Sequence, residues 1–342
     1  TRSLTVIVTA RADGPWHARG DVIDLRKNGF VPTNYDLQPS GVIHMMSIDL
    51  DFDPGTLVLS NVGVEQPFVA IEPSETTQGE CCRDPAPILE GLAGEALDAA
   101  FPKTLGARFG GALGCSHLLT LFQLMASTVP HAVSLEQART EREGSPPEPG
   151  RPFFRRSVFV DGHAPSRDQT EVAIQLADTH TRPLRPGDRV TERLALSHEV
   201  KTFAAIDRKR FLIDRLDVRE RRRTAETVGS TDWHDHGTLL APLLGVRLIP
   251  GLAARLFSLL GDRRDLRPLL DNLLQFAPGF IQIIAARMDE YYEERATGSD
   301  PGSQEKPAVA AIGGNKDSCY MWRRDGAVQR AWDSEHADEA AD

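Results

Sequence analysis

The sequence predicts an α+β protein: two tandem copies of an antiparallel β-sheet plus helices unit, related by a pseudo-twofold. Two observations carry this. Shifting residues 84–126 forward by 151 positions places Asp84 on Asp235, Leu92 on Leu243, Gly94 on Gly245, Leu105 on Leu256, Gly110 on Gly261 and Ala126 on Ala277. Upstream the shift is 154, bringing Asp24 onto Asp178, His44 onto His198, Asp53 onto Asp207 and Val64 onto Val218. Self-similarity at a fixed offset marks a repeated structural unit. The second observation is that a run of alternating, turn-punctuated segments followed by helical ones occurs twice, with a Pro/Gly-rich stretch between.

The elements follow in order. Residues 4–12 read as a strand, Asp13-Gly14-Pro15 as a turn, and Trp16 to Arg26 as a second strand. A third covers about 42–52, and Asp53-Pro54-Gly55 is a tight turn into a returning strand, Thr56–Gln66. Helices are expected near 86–100 and 115–128, the second after the punctuation of Gly110, Gly111 and Gly114. Residues 140–152, rich in charge, Pro and Gly, read as a linker. Strands near 156–162, 170–179, 193–206 and 210–219 then lead to helices near 238–260 and 265–292. The organisation expected is a first copy over 1–140, a second, degenerate copy over 150–300, and a tail over 308–342 that returns to the first copy.

Composition excludes several classes of partner. A net charge of −10 and a pI near 5.5 disfavour nucleic acid and anionic membranes, which need clustered Lys and Arg. The basic run Arg219 to Arg223 reads as a solvated strand edge. Pro242, Arg247, Pro250 and Arg255 interrupt the most apolar stretch, Thr238–Gly261, so no membrane span is expected. The chain enters a strand at once, so no targeting peptide is expected, and four cysteines in 342 residues point to a reducing cytoplasm rather than a disulfide scaffold. A homodimer is compatible with these features.

The copies differ where chemistry would sit. Gly114-Cys115-Ser116-His117 in the first faces Asp265-Leu266-Arg267-Pro268 in the second. Cys115 stands at a helix start, where free N–H groups and the helix dipole favour a thiolate. His117 can carry a proton, although i and i+2 do not share a helix face, so contact with Cys115 requires loop geometry. Equally, both residues can be packing groups. Asp24 and His44, on neighbouring strands, form a second acid–base pair, because a carboxylate fixes the tautomer of an imidazole and raises its basicity. Their retention as Asp178 and His198 also fits a structural hydrogen bond. Cys81, Cys82, Cys115, His117 and Cys319, with His234 and His236, show none of the compact zinc spacings, and no metal or other cofactor is assigned.

The Gly114-Cys115-Ser116-His117-Leu118 helix start, taken with Trp16, Gly20 and Asp24, the Ile43-His44-Met45-Met46 strand and Asp317-Ser318-Cys319 with Trp322, Asp325 and Gly326, resembles a bacterial family known as a domain of unknown function. The resemblance covers about residues 5–128 and 308–330. It implies that residues 150–300 are inserted before the tail, and some members resemble enzymes of aromatic-compound breakdown. With the asymmetry between copies, this leads to an expected cofactor-independent lyase or decarboxylase-like enzyme acting on a small apolar or aromatic molecule. Cys115, His117, His44 and Asp24 would be catalytic, and Trp16, Tyr320, Trp322 and Cys319 would line the substrate. The alternatives are a non-catalytic binding or interaction protein with structural cysteines, and a metal-dependent hydrolase.

Overall fold

In a computed structural model, residues 1–33, 36–249, 251–287, 290 and 316–335 are described. Eight long strands and one short one form a single antiparallel sheet. In chain order these are β1 (Arg2–Thr9), β2 (Trp16–Arg26), β5 (Gly41–Phe52), β6 (Leu59–Phe68), β7 (Pro152–His163), β8 (Gln169–Thr181), β9 (Leu194–Asp207), β10 (Ile213–Arg223) and β11 (His234–Asp235). A small hairpin, β3 (Val31–Thr33) with β4 (Asp36–Gln38), stands apart. The strand order is β11-β10-β9-β8-β7-β1-β2-β5-β6. The class is therefore α+β, but the halves share one sheet, joined edge to edge by antiparallel pairing of β1 with β7.

That join is symmetric in the sequence. Leu4 pairs with Val158, 154 residues on, while Arg2 pairs with Val160 and Val6 with Arg156. The same offsets recur in the turns. Leu57 and Phe211, both at positive φ, send their N–H groups to the carbonyls of Asp53 and Asp207. The side chains of those two aspartates accept from the following backbone N–H groups, stabilising each turn. The bridge Val58–Ala96 reappears as Leu212–Arg247.

One face of the sheet carries the core. Along β1, Leu4, Val6 and Val8 are buried while Ser3, Thr5 and Ile7 are half-buried, the period-two alternation that places every second side chain under the helices. The helices are α1 (Ala86–Glu90), α2 (Phe101–Phe109), α3 (Ser116–Glu143), α4 (Gly237–Leu240), α5 (Leu252–Leu260), α6 (Arg267–Leu274), α7 (Phe276–Ala285) and α8 (Ala327–Glu335). Of these, α3 packs on β1, β2 and β5, α6 on β8 and β9, and α7 on β7.

Several boundaries differ from the sequence reading. The helix expected over 115–128 continues through Pro130 to Glu143, consuming the start of the expected linker. Packing overrides the proline: buried Arg139 bonds Glu136, which also meets His180 of β8 at 2.6 Å, anchoring the second part of α3 under the other half of the sheet. The helix expected over 86–100 is only α1, with α2 following a turn at Gly94, whose φ is +93°. The helices expected over 238–260 and 265–292 are each broken in two. The Arg219–Arg223 run lies inside β10 rather than beyond it, with Arg221 bonded to Glu199. Among the described residues, the one helix long and apolar enough to cross a membrane is α3, not the Thr238–Gly261 stretch, and half of its most apolar window is buried in the protein. The part of the tail up to residue 315 lies outside the described residues. Residues 336–342 also lie outside them, but over 316–335 the tail docks on the first half: the Tyr320 N–H bonds the Gly114 carbonyl at 2.8 Å, Arg330 reaches Gln78, and Arg323 pairs with Glu80.

Candidate functional site

Antiparallel register brings the first two groups together. Asp24 of β2 stands directly opposite His44 of β5, and both point under the helices into the core side. His44 Nδ1 lies 3.1 Å from Asp24 Oδ2. The third group arrives from α3. Gly114 must be glycine, because a Cβ there would collide with the Phe109 backbone oxygen and ring. This close approach sets the entry of the chain, Cys115 takes an extended conformation (φ −87°, ψ 122°) as N-cap, and His117 falls in the first helical turn.

The two pairs read from the sequence prove to be one cluster. His117 Nε2 lies 3.4 Å from the same Asp24 Oδ2, and its ring stacks on His44 with centroids 3.8 Å apart. On the far side of the ring, His117 Nδ1 faces the Cys115 sulfur at 3.8 Å. A thiol, an imidazole and a carboxylate thus stand in line, with a second imidazole on the same carboxylate. The extended N-cap supplies the loop geometry that contact between residues 115 and 117 requires.

Two residues of the site were not picked out in the sequence. Arg2 of β1 donates from Nε to Asp24 Oδ1 (2.8 Å) and from Nη2 to Oδ2 (3.0 Å), a buried bidentate pair. Its signal was available, since Arg2 and Arg156 are 154 apart and Arg156 clamps Asp178 in the same way. Gln282 of α7, from the second half, brings its side-chain amide to 3.1 Å from His117 Nε2. No spacing or repeat announces Gln282, because the contact spans 165 residues and exists only in the folded chain.

The electrostatics correct one expectation. Burial pushes the Cys115 thiol up to about 11, although the N–H groups of Leu118 and His117 at the helix start favour the thiolate. The thiol is neutral at pH 7, not activated. Burial also lowers His117 well below the ordinary histidine value, aided by His44 and the Arg2 charge, so its imidazole is neutral. Burial opposes the charge on Asp24, but Arg2 and the hydrogen bond from His44 overcome it and hold the carboxyl well below its usual range. The cluster is therefore an ionised Asp24 carboxylate beside the neutral His117 imidazole and Cys115 thiol.

The expected substrate-lining residues divide. Cys319 is near Cys115, close enough for its charge to help raise the Cys115 pKa, and burial raises its own. Tyr320 stands at the helix start through its N–H to Gly114, and its hydroxyl donates to Asp84. Trp322 is half-buried on the same short turn, and its carbonyl accepts from Asp317. Trp16 is at the wrong end. It starts β2 and packs edge-on against Phe153 at 5.3 Å, eight residues from Asp24, which at about 3.3 Å per residue is roughly 26 Å. Position along a strand, invisible to a motif, removes it from the site.

The offset-matched residues of the second half sit in an ionic network. Asp178 is clamped by Arg156, and Arg156 also bonds Asp271 at 2.5 Å, which in turn holds Arg267 and Ser127. At the 151-residue sequence offset, Pro268 falls on His117 and buried Leu266 on Cys115. His198 turns its Nε2 to Glu220 at 2.5 Å, and the other Glu220 oxygen meets His236 Nε2 at 2.7 Å.

Three groups of metal-ligand type converge in the first half: Asp24, His44 and His117 offer atoms that all lie within 4.8 Å of one another. Among the described residues, of the Cys and His sets considered from the sequence only His117 belongs to this group; His234 and His236 stack on each other, with His236 engaged by Glu220. No curated protein and no solved structure matches this chain. Residues 1–130, which hold Arg2, Asp24, His44, Cys115 and His117 but not Gln282 or the second half, match the model of a family described as a protein of unknown function, DUF2889.

Proposed function

We propose that the first half is an acid–base enzyme of the lyase type, acting on a small apolar or aromatic molecule, and that the second half is a duplicate kept as scaffold. The observation that supports this best is the convergence of two sequence-distant pairs on Asp24 Oδ2 in the first half, where the second half has a closed ionic network. Asp24, kept ionised by Arg2, orients the two rings as a positioning group. His117 is the proton carrier, neutral at pH 7 and, with 15% of its side chain exposed, the most accessible member. Cys115 is the proton source behind it: once substrate displaces the Gln282 amide from Nε2, a proton given from Nε2 to a substrate carbon is replaced through Nδ1 by the facing S–H, and the thiolate so left is reprotonated from water. In a decarboxylation the bond to the carboxylate breaks, carbon dioxide leaves, and the carbon takes that proton.

The test is a screen of small aromatic carboxylic acids in heavy water, followed by mass spectrometry. Turnover should place one deuterium on the carbon that lost the leaving group. His117→Ala should lower the rate by at least about 100-fold, the scale of losing a general acid–base group. Full activity in His117→Ala and Cys115→Ser would refute the assignment. Saturable binding of the same compounds without turnover would instead support a binding protein.

A further inference from the structure

We propose that Asp24, His44 and His117 bind one divalent first-row transition-metal ion per chain, with an open position that takes an anionic group. The inference rests on the reading above for the identity of the site; with an ion on His117 Nε2 that nitrogen is a ligand and the proton carrier becomes water or hydroxide at the open position, so the failure of either proposal is separable from that of the other.

Geometry is the first argument. At metal–ligand bonds of about 2.0–2.1 Å, neighbouring tetrahedral ligands stand about 3.3 Å apart. Two of the three separations meet that value, 3.1 Å from Asp24 Oδ2 to His44 Nδ1 and 3.4 Å to His117 Nε2, and all three ligand atoms lie within 4.8 Å of one another. The three groups come from β2, β5 and the start of α3, so the fold fixes their spacing before any ion arrives. Outer partners are also in place. Arg2 holds Asp24 by both oxygens, and the Cys115 sulfur faces the nitrogen of His117 that points away from the cluster. Such groups orient metal ligands and set the tautomer of a ligating histidine. Two imidazoles and one carboxylate suit zinc, iron(II) or cobalt(II) rather than calcium or magnesium.

Charge then says what completes the site. Arg2 already neutralises Asp24, so the ion's own charge stays unbalanced by its protein ligands. The open position favours hydroxide or the carboxylate of a substrate. Gln282, whose amide approaches His117 Nε2 at 3.1 Å, yields that nitrogen to the ion. The second half serves as an internal control. It keeps Arg156, Asp178 and His198, but Pro268 replaces the third ligand and His198 is committed to Glu220. Two similar halves should therefore bind one ion, not two.

Chelator-treated full-length protein would be titrated with cobalt(II), followed by calorimetry and visible absorption. The expected result is one equivalent per chain, without the charge-transfer band of a cobalt–thiolate bond, since Cys115 is not a ligand. His117→Ala and His44→Ala should each weaken binding at least about 100-fold, taking the largest losses seen for outer-sphere partners as a lower limit. His163→Ala, exposed at the end of β7, should leave it unchanged. Zero or two equivalents, or equal affinity in His117→Ala, would overturn the proposal. Should the variants fail to fold, paramagnetic shifts of the wild-type His44 and His117 ring resonances on adding cobalt(II) decide the matter, and unshifted rings refute it. Absence of cobalt binding together with loss of turnover in His117→Ala would remove the metal and leave the acid–base enzyme standing.

Discussion

Glu220→Gln is expected to cost the fold about 3 kcal/mol at pH 7, and the loss should shrink in acid. The carboxylate is buried between β10 and the start of α4, with His198 at 2.5 Å, His236 at 2.7 Å and Arg222 at 3.3 Å. Burial alone would raise its pKa, but the hydrogen bonds from His198 and His236 reverse the effect and bring it to about 2 from 4.5. A difference of about 2.5 units at about 1.36 kcal/mol each gives an upper bound of about 3 kcal/mol. Because the folded value is depressed, this stability is fully present above the unfolded value of 4.5 and is lost as pH falls toward about 2. Urea unfolding of wild type and variant, followed by circular dichroism from pH 7 to pH 3.5, measures the gap. It should fall from about 3 to about 2 kcal/mol over that range by the same linkage relation. A gap below about 1 kcal/mol at pH 7, or one that does not narrow in acid, would refute the reasoning.

Two further outcomes follow from the packing. Gly114→Ala should destabilise the protein by about 2 kcal/mol or more, because its Cβ would strike the Phe109 backbone and only chain displacement relieves this; an unchanged melting temperature would contradict the close approach that positions His117. Asp271→Ala should cost about 3 kcal/mol, since it strips a partner from fully buried Arg156, and chemical denaturation showing less than about 1 kcal/mol would mean that Asp178 alone satisfies that charge.

Much of the fold was legible because strands and turns are written locally. Alternation of apolar and polar residues placed the strands of both halves, and the 154-residue offset matched turns that share even their positive-φ residues, Leu57 and Phe211. The pairing of Asp24 with His44 also followed from adjacent strands. Helix extent was less legible. The expected helix stopped at 128, yet packing and the Glu136–Arg139–His180 network carry α3 past Pro130 to Glu143.

What the sequence by itself determined is the order of strands and helices along the chain, and that Cys115 and His117 have no counterparts at the 151-residue offset. Tertiary structure decided that these residues share Asp24 with His44, that Arg2 and Gln282 join them, and that Trp16 lies far away. It also decided the state of the thiol. A helix start argues for a thiolate, but desolvation depends on everything packed around the sulfur and prevails. Local signals fix which residues are present and how each segment is paired. Distances between segments far apart in sequence, and the solvent they exclude, arise only when the sheet closes against its helices.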